Sequence, residues 1–203
     1  MTTTPIQPSS SDNFILNSSA TTNYGTADLV AVGTDSGGSV MRILVKWDHA
    51  TIPSSDICDS ATISLYLKGD YATNACTWKA YRLLRNWGEE TSTWNKYDGT
   101  NDWATAGGMG AGDINATELG TSANIPENSA VNTEITISLD VTEFKKMYDG
   151  TYTNYGFLIK ATNEAVQNAW HVYSREHATA GTKPKLVAVT HSVSTFVPRI
   201  TMF

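Results

Sequence analysis

Charge is scarce in this sequence. Only 17% of its 203 residues are Asp, Glu, Lys or Arg, and the net charge is −6. The 14 basic residues are scattered, so no basic stripe exists to neutralise phosphates, the interaction that dominates nucleic-acid affinity. Nucleic acid is therefore not an expected partner. Long apolar runs are missing as well. None approaches the roughly 18 residues that span a bilayer, and the opening segment MTTTPIQPSSSDNF has neither the basic nor the apolar part of a secretory signal. No membrane partner is expected, and the chain reads as soluble and not exported by a signal of its own. Cysteine is limited to Cys58 and Cys76. The two could meet on neighbouring strands, yet spacing does not establish disulfide geometry, and two ordinary buried thiols are the favoured reading. Neither has a second thiol or a histidine at ligand spacing, which argues against zinc.

What is abundant is turn chemistry and alternation. The chain is 40% hydrophobic with 15 Gly, and apolar residues recur with period two in short runs, as half-buried antiparallel strands require. Ile63, Leu65 and Leu67 form one such face, Ile135, Ile137 and Leu139 a second, Ile43, Val45 and Trp47 a third, and Phe157 with Ile159 a fourth. Further strands are predicted over 28–33, 75–84, 169–175 and 184–190, with a weaker one near Phe14. Turn residues at Gly37-Gly38, Ile52-Pro53-Ser54-Ser55 and Thr179-Ala180-Gly181 separate them. Asp140 with Glu143 three residues on resembles a capping box, Val141, Phe144 and Tyr148 share a helical face, and Gly150 can end it, which predicts one short helix. The expected fold is all-β: an antiparallel, jelly-roll-like β-sandwich of about eight strands, with that helix and a long Gly-rich loop between Lys96 and Asn132. The expected boundaries are an N-terminal extension over 1–11, the sandwich over 12–190 and an apolar C-terminal docking tail over 191–203, carried by Phe196, Val197, Ile200, Met202 and Phe203. The alternative for the tail is that it folds back over its own sheet edge.

Several stretches, taken in order, resemble the DNRLRE domain, a disaggregatase-related group that includes a family of carbohydrate-binding modules. They are Asn23-Tyr24-Gly25, Arg42-Ile43-Leu44-Val45-Lys46-Trp47-Asp48, Ile52-Pro53 leading into the strand 61–67, Trp87-Gly88-Glu89-Glu90-Thr91-Ser92-Thr93-Trp94-Asn95, Asp140-Val141-Thr142, Asn154-Tyr155-Gly156-Phe157-Leu158-Ile159, Tyr173-Ser174-Arg175-Glu176 and Pro184-Lys185-Leu186-Val187. The resemblance implies a jelly-roll-like sandwich, found as an accessory module of secreted polysaccharide-active proteins and in structural proteins of bacteriophages. The segment Asn-Asp-Trp-Ala-Thr-Ala-Gly-Gly at 101–108 looks most like the phage-associated branch.

Each chemistry-bearing cluster has a structural reading beside the functional one. Trp87 and Trp94 could form a sugar platform, but the resemblance implies that they belong to the scaffold. Trp103, beside Tyr97, Asn101 and Asp102 in the irregular loop, is the preferred contact patch, with Trp170 as a further stacking residue; the alternative is a loop pinned by one large anchor. Asp98, Asp102 and Asp113 offer hard oxygen ligands but lack a dedicated calcium pattern, so no metal site is assigned and a structural Ca²⁺ is the only cofactor the loop admits. The run Trp170-His171-Val172-Tyr173-Ser174-Arg175-Glu176-His177 resembles a catalytic cluster, but strand alternation separates Ser174 from the histidines. Glu89 and Glu90 could supply acid and base roles for glycoside cleavage, but neighbours in a strand face opposite ways, and solvated turn or strand-end residues are the favoured reading.

The expectation is a non-catalytic virion surface protein, such as a phage head-decoration or fibre component. Its partners would be other virion proteins and further copies of itself, with surface glycan as an additional ligand. The alternative is an extracellular carbohydrate-binding module of a polysaccharide-processing system.

Overall fold

The computed structural model describes residues 1–193. Among them run β1 (Thr2–Ile6), β2 (Ser11–Leu16), β3 (Leu29–Thr34), β4 (Val40–Lys46), β5 (Ile57–Asp70), β6 (Trp78–Arg82), β7 (Gly120–Ser122), β8 (Glu134–Leu139), α1 (Val141–Tyr148), β9 (Phe157–Ala161), β10 (Trp170–Tyr173) and β11 (Lys185–His191). The antiparallel all-β class and the single short helix are as expected from the sequence. The ladder, however, does not stop at two separate sheets. It runs β5-β10-β3-β4-β9-β6-β7-β8 and returns to β5, closing an eight-stranded antiparallel barrel. Three further strands attach outside that ring: β2 on β4, β11 on β5, and β1 on β11.

The length of β5 makes closure geometrically simple. Its 14 residues pair with β11 over Ile57–Ser64 and with β10 over Leu67–Asp70, while β8 takes the stretch Thr62–Tyr66. A closed ladder leaves fewer unpaired backbone groups at free edges. The expected N-terminal extension is part of this arrangement. Thr2–Ile6 has no apolar alternation, so it gives no strand signal, yet it pairs with Thr190–Leu186 and covers the outer edge of β11. The expected docking residues Phe196, Val197, Ile200, Met202 and Phe203 lie outside the described residues.

Alternation places the main core as anticipated. Ile63, Leu65, Leu67, Ile137, Ile43, Val45, Trp47, Phe157 and Ile159 are at most 1% exposed, and Ile63 stands opposite Ile137 in the ladder. Phe144, Met147 and Tyr148 of α1 join the same core from one end. The helix begins where Asp140 accepts a hydrogen bond from the Glu143 amide at 2.8 Å. Glu143 does not complete the reciprocal half of the box, because the Asp140 amide donates instead to the Leu119 carbonyl and the Glu143 carboxylate pairs with Lys146. Cys58 and Cys76 are both free and buried.

One wall of the molecule departs from simple alternation. In β2, β4 and β9 the residues between the inward ones are apolar too: Ile15, Leu44 and Leu158 are completely buried and form a second core with Leu83, Trp87, Trp103 and Ile114. This wall is therefore buried on both faces, and the segment between β6 and β7 covers the outer one. The loop expected between Lys96 and Asn132 is interrupted by β7, and its part before β7 is a packed layer and not a free excursion.

His49, in the turn after β4, is 5% exposed and lies edge-on to Phe144 at 5.2 Å. Burial disfavours its charged form and lowers its pKa from 6.5 to about 4. Between those two pH values the unfolded chain binds more protons than the folded one, so this residue's contribution to stability falls as pH falls. We expect the difference in unfolding free energy between wild type and His49→Phe to shift by up to about 3 kcal/mol from pH 6.5 to 4. Urea denaturation at several pH values reads this directly, and a flat difference would show that the imidazole is not the titrating group.

Candidate functional site

The outer layer is fastened by its tryptophans. Trp87 donates from Nε1 to the Tyr155 carbonyl at 2.8 Å, and Trp103 donates to the Thr93 carbonyl at 2.9 Å. Trp103 is only 4% exposed, so it cannot serve as an open stacking platform; it is the anchor of the loop. Trp94 lies under the Arg42 guanidinium, 4.8 Å from its ring centroid, and Arg42 also donates to the Gly107 carbonyl and pairs with Glu164. Gly107 has φ +87°, and a Cβ there would meet both Arg42 and Trp94. Asp113 is buried inside the layer and accepts from the amides of Ala104, Thr105 and Gly110.

The aspartates considered as calcium ligands are thus engaged separately. Asp98 accepts from the Thr100 and Asn101 amides and from the Asn101 side chain, while Asp102 pairs with Lys96 at 2.8 Å. Tyr97 packs on Trp103, centroids 5.7 Å apart, and Asn101 and Asp102 are exposed. Tyr97, Asp102 and Trp103 do come together, but at the margin of a groove that the sequence did not indicate.

That groove, about 660 Å³, is lined by Thr21, Asn23, Thr91, Thr93, Asn95, Lys96, Gly99, Asp102, Ala106 and the remaining edge of Trp103. Its size falls within the range of small-ligand sites. Within the described residues the side chains of Thr21, Thr91 and Asn95 make no hydrogen bond. The two charged groups, Lys96 and Asp102, neutralise one another. Such a lining suits a polyhydroxylated molecule; it places no nucleophile beside a base.

The other candidates lie elsewhere. Trp170 is fully buried, edge-on to Trp78 at 5.9 Å. Strand alternation makes its neighbours His171 and Tyr173 the outward residues of β10, where His171 packs on the exposed Tyr71 at 4.6 Å and Tyr173 on His177 at 4.1 Å. Burial lowers the His171 pKa, with Lys68 adding to the effect. Ser174 donates to the Ala27 carbonyl and accepts from the Glu176 amide, so its hydroxyl is committed to a turn.

Glu90 is exposed, as expected, but Glu89 is not a solvated residue. It accepts from the Asp12 amide at 2.8 Å and from Arg175 Nη1 at 2.8 Å. The backbone around it is clamped by two asparagines: Asn23 donates to the carbonyls of Glu89 and Ser92, and Asn13 to the carbonyl and hydroxyl of Ser92. Gly25 lies so close that a Cβ there would run into the Glu89 carbonyl. Three stretches that carry the resemblance, 23–25, 87–95 and 173–176, therefore converge on the start of β2.

The family model of the disaggregatase related repeat domain matches residues 12–188, most of the chain. Among curated proteins no sequence matches.

Since Trp103 anchors the layer, its removal must act first on stability. We expect Trp103→Ala to cost about 3–5 kcal/mol of unfolding free energy and to loosen residues 93–113 in hydrogen exchange before the barrel opens. An unchanged denaturation midpoint would mean that the ring contributes nothing to holding the layer.

Proposed function

The chain belongs to the disaggregatase related repeat family, and on that footing we propose that it is a non-catalytic binding module whose ligand is a glycan held in the Asn95 groove. One observation carries the reading: a concavity of about 660 Å³ whose walls offer unengaged hydroxyl and amide groups at Thr21, Thr91 and Asn95 beside an internally neutralised Lys96–Asp102 pair. Sugar hydroxyls need paired donors and acceptors of this kind, and a neutral lining discriminates little against uncharged saccharides.

A narrower proposal sets this module on the surface of a virion, as a head-decoration or fibre component. Its support is the resemblance of residues 101–108 to the phage-associated branch and the apolar sequence of the C-terminal tail. The two proposals are compatible, because a particle-borne module can adhere to surface glycans.

Screening the full chain on a glycan array, followed by titration of the strongest hit, tests the ligand class. We expect Asn95→Ala to weaken binding about tenfold, equivalent to the loss of one or two hydrogen bonds, whereas Tyr71→Ala on the β10 face leaves it unchanged. The opposite pattern would move the site to the Tyr71–His171 face, and an array with no hit would overturn the glycan reading.

A further inference from the structure

Asp12, the second residue of β2, sits in a position that leaves its carboxylate incompletely partnered. The residue is 1% exposed. Its Oδ2 accepts from the Ser9 hydroxyl at 2.6 Å and from the Arg175 amide at 2.9 Å. Its Oδ1 is buried and accepts nothing from the described residues. A carboxylate oxygen withdrawn from water without a partner is expensive, and an ionised one more so. Burial accordingly pushes the Asp12 carboxyl up to about 7, and the neighbouring Glu176 and Glu89 charges add to the rise.

Two further carboxylates face this group. Asp12, Glu89 and Glu176 each bring an oxygen to within 4.8 Å of the others, although they come from β2, the outer layer and the turn after β10. Arg175 is the cation in contact with the group: Nη1 bonds Glu89 at 2.8 Å and Nε lies 3.7 Å from Glu176. It reaches Asp12 through its backbone amide, not through its guanidinium. With all three carboxylates ionised, as a bound cation requires, the one guanidinium leaves a surplus of two negative charges.

We propose that Asp12, Glu89 and Glu176 form a binding site for Ca²⁺, which fastens the start of β2 to the 87–95 segment and to the turn after β10. The donor set is all oxygen, with neither thiolate nor imidazole, and so selects a hard cation over zinc. Oxygens separated by up to 4.8 Å suit metal–oxygen distances of about 2.3–2.6 Å and a flexible coordination shell completed by water, whereas Mg²⁺ requires about 2.0–2.1 Å and near-octahedral order. The divalent charge matches that surplus, and it offsets the burial of a carboxylate that is only partly hydrogen-bonded. The three carboxylates lie outside the lining of the glycan groove, and their assignment does not rest on the glycan reading.

The test uses the full chain, stripped with a chelator and titrated with CaCl₂ alone by calorimetry, with thermal unfolding recorded in parallel. We expect one Ca²⁺ per chain and a higher melting temperature, with MgCl₂ much weaker. Asp12→Asn and Glu176→Gln should each weaken Ca²⁺ binding by about tenfold or more. Glu176 is exposed, and among the described residues its side chain makes only the 3.7 Å ion pair, so Glu176→Gln keeps the test valid where Asp12→Asn fails to fold. No heat and no stabilisation of wild type up to about 10 mM Ca²⁺, well above the range of weak extracellular sites, would overturn the proposal and leave a proton as the agent that neutralises Asp12. Binding undiminished in both variants would overturn it as well, by placing the ion elsewhere.

Discussion

The structure depends on a sheet wall that is apolar on both faces. In β2, β4 and β9 the inward residues Phe14, Ile43, Val45, Phe157 and Ile159 pack into the barrel, while Ile15, Leu44 and Leu158 point outward and are equally buried. A two-sided apolar wall exposed to water would carry a hydrophobic cost of roughly 1.5–3 kcal/mol for each large side chain left uncovered. The chain removes that cost with its own 83–119 segment. Once that segment must lie flat against the wall, most of what surrounds it follows: tryptophans become fasteners, glycine is required where Arg42 and Trp94 crowd the backbone, and a buried aspartate gathers the loose amides of the layer.

That constraint also explains which parts of the fold could be read in advance. Residues such as Ile63, Leu65 and Leu67 announce a strand with one wet face, because the intervening Thr62, Tyr66 and Lys68 are polar or amphipathic. The runs Ile43-Leu44-Val45 and Phe157-Leu158-Ile159 carry a different signal, a continuous apolar stretch, which indicates burial on both sides. Attending only to alternate residues hides the second core. The barrel closure was not legible, since β5 is long enough to take β11, β10 and β8 along different stretches, which no local pattern indicates. Nor was β1, whose Thr-rich sequence contributes backbone hydrogen bonds and little else.

The site residues divide along the same line. Trp103 and Trp170 attract attention in a sequence because large aromatics often stack on ligands, but the same size makes them the most effective space-fillers, and here both are buried. Half of the groove lining is Thr and Asn, and which of those side chains lack a hydrogen bond appears only once their neighbours' hydrogen bonds are known. Glu89 is the reverse case. Its neighbour Glu90 suggests a solvated acidic pair, yet Glu89 is drawn inward by partners 77 and 86 positions away along the chain, a separation that no local reading spans. The aspartates of the Gly-rich loop drew attention as cation ligands because they are close in sequence, while the carboxylates that do converge come from three distant segments.

The groove and the acidic cluster are not independent in their mechanics, because both are built on residues 87–95. Glu89 belongs to the cluster; Thr91, Thr93 and Asn95 line the groove. Asn23 serves both, lining the groove while its amide holds the Glu89 and Ser92 carbonyls. Were Asp12 ionised without a counter-ion, its repulsion with Glu89 and Glu176 would push this segment away from β2, against the hold of Asn13, Asn23 and Arg175. Neutralising the cluster removes that push at a point two residues from the groove wall. Any ligand that needs Thr91 and Asn95 in fixed positions then loses less freedom on binding, and linkage requires the effect to run equally in both directions. A binding surface made of short polar side chains has little intrinsic rigidity, so its preorganisation must come from the layer beneath it, and in this chain that layer is held by charge at one end and by tryptophan at the other.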